Sequence, residues 1–173
     1  MQRLHPCRSA APEFDRLPKV LVLLTDLLTA ERIRIPLVAR TKDDLLRELV
    51  DHAADGAEVR DRQEVLRAVM DREEVLSTGI GHGVAIPHGK SASVNQLILV
   101  AGVAPAGIDF EALDGKPVNL FFLLVGPESA AGEHVKALSR ISRLLRRESF
   151  RERLISAPDA GAFYAVLAEA EAT

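Results

Sequence analysis

The chain has 173 residues, 47% of them hydrophobic and 27% charged, with a formal net charge of −3. That length favours one domain able to bury a sizeable core, and the slight acidity excludes the basic footprint of a nucleic-acid binder. A single cysteine, Cys7, excludes an internal disulfide or a thiolate metal cluster and fits a reducing cytoplasm. No run approaches the roughly 18 apolar residues that a membrane span requires.

Residues 1–18, MQRLHPCRSAAPEFDRLP, mix charge with turn formers and show no period; they read as a loose tail ahead of a domain over 19–173. The run Val20–Leu24 stops at Thr25-Asp26 and is too short for a secretory core. ERIRIPLVAR alternates apolar and charged residues up to Pro36, as a short strand does. TKDDLLRELVDHAADG opens on Thr41 as an N-cap, carries Asp44 three residues on, and ends at Gly56. Its Leu45, Leu46, Leu49, Val50 and Ala53 share one helical face. DRQEVLRAVMDREEVL repeats that pattern, with Asp61 as cap, Glu64 three later, and a stripe of Val65, Leu66, Val69 and Met70.

Next comes STGIGHGVAIPHGK, a glycine-rich loop from Ser77 to Lys90, and two apolar runs, Leu97–Ala104 and Val118–Val125. Asp114-Gly115 between the runs marks a turn. EHVKALSRISRLLRR places Val135, Leu138, Ile141 and Leu145 on one face, and a last helix starts near Asp159 with Phe163, Val166 and Leu167. Apolar strands among amphipathic helices predict an α/β sandwich whose central strands are covered on both sides.

The loop fails two phosphate-cradle patterns. A dinucleotide fingerprint needs G-x-G-x-x-G between a strand and a helix, whereas here Gly79-x-Gly81-x-Gly83 follows a helix. Gly89-Lys90-Ser91 mimics the end of a P-loop, but the first glycine would fall on Val84, and Pro87 removes a backbone donor. His82 and His88 lie six apart without helical i,i+4 pairing or close carboxylates, which speaks against a metal site. No G-x-S-x-G elbow is present for a serine hydrolase.

His88 remains. Pro87 fixes the backbone direction before it and Gly89 permits close approach after it, so the imidazole is oriented and nucleophilic near neutral pH. By itself such a histidine is more often a satisfied surface or core residue.

STGIGHGVAIPHGK resembles the signature of EIIA components of the bacterial phosphotransferase system, in the fructose, mannitol and nitrogen-related class. The likeness continues through GIDFEALDGKPVNLFFLLVGPE, EHVKALSRISRLLR and, upstream, LTDLLTAERI, and covers roughly residues 22 to 171. It implies a single domain with a mixed sheet flanked by helices on both faces. It makes His88 the phosphoryl acceptor, His134 the second histidine of the site, and Arg72 its arginine. Their chemistry suits those roles. A guanidinium can grip phosphoryl oxygens in a bidentate fork, and the first turn of a helix favours an anion beside His134.

The resemblance also names a donor, a histidine phosphocarrier such as HPr or its nitrogen-branch counterpart, and an acceptor, the cysteine of an EIIB domain. No cofactor is called for, because the donor's phosphohistidine is already activated. Where the family commonly has a small or amide residue this chain has His82, which is expected to face water. PHGK leans toward the nitrogen-regulatory branch over the sugar-transport branch.

Overall fold

The computed structural model describes residues 22–173, so the tail expected over 1–18 lies outside them. In chain order the elements are α1 (Leu24–Leu27), a 3₁₀ turn, β1 (Ile33–Arg34), α2 (Lys42–Ala53), α3 (Arg62–Val75), β2 (Gly79–Gly81), β3 (Val84–Ala85) and β4 (His88–Lys90). Then follow β5 (Ile98–Ile108), β6 (Val118–Gly126), α4 (Ala131–Leu144), α5 (Glu148–Ile155) and α6 (Ala160–Ala172). The predicted caps Thr41 and Asp61 are in place, accepting from Asp44 N–H and from Gln63 and Glu64 N–H, and Asp159, where the last helix is expected to start, caps it by accepting from Ala162 N–H.

The sheet is mixed, with the order β1-β5-β6-β3-β2, and β4 also pairs with β6. β5 and β6 run antiparallel, while β3 and β4 join β6 in parallel, one after the other along its length. β6 is apolar from Leu120 to Val125 because both its faces are buried there. Phe121, Leu123 and Val125 pack with α2 and α3, and Leu120, Phe122 and Leu124 pack with α1, α4, α5 and α6. Each fully buried Leu or Phe contributes about 1.5–3 kcal/mol, so this two-sided strand is the mechanical spine of the molecule.

The glycine-rich stretch departs from the expected loop. It supplies three strands of the sheet, and its glycines serve the fold. Gly81, His82 and Gly83 have φ of 91°, 57° and 75°, the left-handed conformations that turn β2 back into β3. A Cβ on Gly89 would lie 3.1 Å from Val69 N and 3.2 Å from the Ala68 carbonyl carbon, so this glycine admits α3 and not an outside partner.

The stripe on α4 also differs. Val135 is 63% exposed, and the inner face runs through His134, Ala137, Ile141 and Leu144. α5, absent from the sequence reading, buries Phe150 and Leu154 alone.

Candidate functional site

His88 is the first residue of β4, opposite Leu124 of β6, so its backbone is held on the central strand. Pro87 adds to this, its carbonyl accepting from Leu124 N–H at 3.0 Å. The ring is half-buried, and its Nδ1 lies 2.9 Å from the Ile86 carbonyl oxygen. A carbonyl can only accept, so Nδ1 carries the proton and Nε2 keeps the lone pair. Burial pushes the His88 pKa down. The bond to Ile86 opposes that, the positive charges of Arg72 and Lys90 add to it, and the Glu73 carboxylate opposes it. The result is a neutral imidazole with one defined nucleophilic nitrogen.

His134 meets this ring edge-on, with centroids 5.8 Å apart and planes at 65°. It lies in the first turns of α4 and is 2% exposed, yet neither ring nitrogen has a hydrogen-bond partner among the described residues. Burial, with the neighbouring His88 and Lys90, pushes its pKa down to about 4. A buried polar group without a partner costs about 1–3 kcal/mol, which marks a place where the fold carries a cost that a ligand could relieve.

Arg72 sits in the last turn of α3, where its Nη1 donates to the Leu76 carbonyl at 3.0 Å. Its charge is near enough to depress the His88 pKa. Arg72, His88 and His134 are thus gathered at one end of β4 from three separate elements.

His82 is not part of this cluster. It is exposed at the tip of the β2–β3 turn, its N–H donating to Asp114 Oδ2 at 3.1 Å. Val84, just past the turn, pairs with Leu120 and His88 with Leu124, so four rungs, about 13 Å, separate Val84 from His88. His82 borders a cleft of about 840 Å³ with Asp114, Lys116 and Asn119, away from the histidine pair. No group of three or more metal-ligating side chains occurs among the described residues, and no helix of the described residues is long and apolar enough to cross a membrane.

A family model described as phosphoenolpyruvate-dependent sugar phosphotransferase system, EIIA 2, matches residues 26–170. The chain belongs to this family. It is 41% identical over 150 residues to the nitrogen regulatory protein of Bradyrhizobium diazoefficiens, covering 87% of this chain and 97% of that protein. It is 40% identical over 134 residues to the fructose-specific EIIABC component of Bacillus subtilis, covering 78% of this chain but only 21% of that longer relative. The fold superposes on the nitrogen regulatory protein IIA-Ntr of Neisseria meningitidis with a TM-score of 0.78 and 33% identity, over 83% of this chain and 98% of that one.

One part of the site lay beyond sequence reasoning. Glu73, adjacent to Arg72, is buried and joined to Thr78 and Lys42. Nothing in the local pattern distinguishes it from the exposed Glu74 beside it.

Proposed function

We propose that this EIIA-family chain is a phosphocarrier in which His88 Nε2 accepts a phosphoryl group from the phosphohistidine of an HPr-like carrier, and that it acts as a nitrogen-type regulator through phosphorylation-dependent protein binding. The observation that carries this reading is the fixed tautomer of His88 beside His134, whose ring nitrogens have no partner among the described residues. In the transfer, the Nε2 lone pair attacks the donor's phosphorus. The new N–P bond forms as the old one breaks, and the donor imidazole takes back its electron pair. Such transfers pass through loose transition states, so positioning and charge stabilisation do most of the work. Arg72 would balance the charge on the phosphoryl oxygens, and His134 would give one of them a hydrogen bond.

The regulatory branch is favoured by the near-complete coverage of the Bradyrhizobium protein, itself called nitrogen regulatory. A second reading rests on the Bacillus relative, whose name joins a fructose-specific EIIA to EIIB and EIIC parts. There the phosphoryl group would pass from His88 to an EIIB cysteine. Incubation with an HPr-like carrier and its phosphorylating enzyme should add one acid-labile phosphoryl group, lost in His88→Ala. Labelling of His88→Ala at the normal rate would sink the proposal. Rapid discharge to an added EIIB domain would favour the sugar branch.

A further inference from the structure

Glu73 is placed against two electrostatic preferences at once. It is a carboxylate in the last turn of α3, where the helix dipole disfavours an anion, and its side chain is 4% exposed. Its partner Lys42, 3.0 Å away, is the first residue of α2, the helix end that disfavours a cation. A buried ion pair is weak support for stability as such, since apolar replacements often serve as well. The arrangement therefore asks for another reason.

The remaining contacts of Glu73 supply it. Its carboxylate oxygens accept from Thr78 N–H at 3.0 and 3.2 Å and from Thr78 Oγ1 at 2.5 Å. The Thr78 carbonyl in turn accepts from Ile86 N–H at 3.0 Å, and the Ile86 carbonyl holds His88 Nδ1 at 2.9 Å. A continuous hydrogen-bonded path thus joins Glu73 to the ring of His88. The same anchorage governs Arg72. α3 ends at Leu76 in extended backbone, with no helical cap bond, and Leu76 O is the group on which the Arg72 guanidinium rests. Glu73 pins the backbone two residues beyond that carbonyl. Lys42, stacked 4.7 Å over the Phe110 ring, steadies the carboxylate from the far side.

We propose that Glu73 is a positioning residue for phosphoryl transfer: through Thr78 it sets the carbonyls that orient both the His88 ring and the Arg72 guanidinium. This rests on the assignment of His88 as the phosphoryl acceptor. Charged groups facing His88 are Arg72 and Glu73 from α3 and Lys90 from β4, with His134 packed against it from α4.

The test measures the phosphorylation rate from an HPr-like carrier for Glu73→Ala, Glu73→Gln and Thr78→Val, each alone and combined with Arg72→Ala. Ring ¹⁵N NMR reports the His88 tautomer in the same proteins. Glu73→Ala is expected to lose about ten- to a hundredfold in rate and to show a mixed tautomer. Glu73→Gln keeps an acceptor for Thr78 and should recover part of the rate; it also serves if the alanine variant does not fold. In the Arg72→Ala background the Glu73 effect should shrink, because both changes act through one guanidinium. A folded Glu73→Ala with wild-type rate would overturn the proposal. So would a rate loss undiminished without Arg72, with the tautomer unchanged. Labelling of His88→Ala would instead overturn the underlying assignment, so the two failures are distinguishable.

Discussion

His88 and His134 stand edge to face at 5.8 Å, one ring tied to a carbonyl through Nδ1 and the other without a hydrogen-bond partner among the described residues. The pair is asymmetric by construction. His88 has a fixed tautomer, whereas His134 holds a free donor and a free acceptor in reserve inside the fold.

This asymmetry makes a pH prediction. The His134 pKa of about 4 lies below its ordinary value of 6.5. As pH falls, the unfolded chain therefore takes up a proton that the folded chain refuses. The stability contributed by neutral His134 is complete above about pH 6.5 and is lost as pH falls toward about 4, each unit of depression counting for about 1.4 kcal/mol. Denaturation midpoints should drop across that window, and less so in His134→Gln. On phosphorylation of His88 an anion would meet the ring, and the His134 titration followed by NMR should move upward. A titration that stayed put would remove His134 from contact with the phosphoryl group.

Arg72→Ala should slow phosphorylation by about 100-fold, the usual order for removing one transition-state donor. Arg72 is half-buried at a helix end and, among the described residues, its guanidinium makes one hydrogen bond, to Leu76 O, so the melting temperature should change little. Arg72→Lys should recover only part of the rate, since an ammonium lacks the planar fork. Full recovery with lysine would reduce its role to a simple point charge.

Gly89→Ala tests the corrected role of the glycine after His88. Its methyl would press on the backbone of Ala68 and Val69, and such overpacking costs about 1–3 kcal/mol. Urea denaturation should show that loss. If the variant kept full stability and failed only in partner binding, the glycine would serve the approach of a partner after all.

Glu171→Gln should weaken the join between α1 and α6. This carboxylate accepts from Leu24 and Thr25 N–H and from Thr25 Oγ1, and it pairs with Arg140 at 2.6 Å. Loss of the charge-assisted part should cost about 1.5–3 kcal/mol, read as a lower midpoint, while phosphorylation at His88 continues at its normal rate.

Most of the architecture was legible because it follows short-range rules. Thr41 and Asp61 declare their helices through cap chemistry, and the two apolar runs form β5 and β6. The failures have long-range causes. Val84–Ala85 and His88–Lys90 are strands because β6 offers them an edge to pair with, and Gly79–Gly81 then pairs on β3, which no local propensity records. On α4, Leu138, Ile141 and Leu145 do face the core, but Val135 does not, because the inward position of the first turn belongs to the polar His134, and apolar periodicity passes over a buried imidazole. α5 went unseen because it has only two buried residues in eight. His88 stands out by its Pro87-Gly89 setting, but its role, and both Arg72 and His134, come through family resemblance. The contacts that place them, through Ile86, Leu76 and Thr78, are mostly backbone and leave no mark on residue type.

The clasp formed by Glu171 bears on how the protein is made. α1 near one end of the described chain is held by a side chain that is synthesised 147 residues after Leu24. On the ribosome, α1 must therefore wait, its amides uncapped, while the β5–β6 hairpin and α2 and α3 already have their partners. The face of the sheet that α4, α5 and α6 will cover stays open until those helices emerge. Nascent chains should accordingly be most exposed to chaperones late in translation, after β6 is complete and before α6 has closed over it.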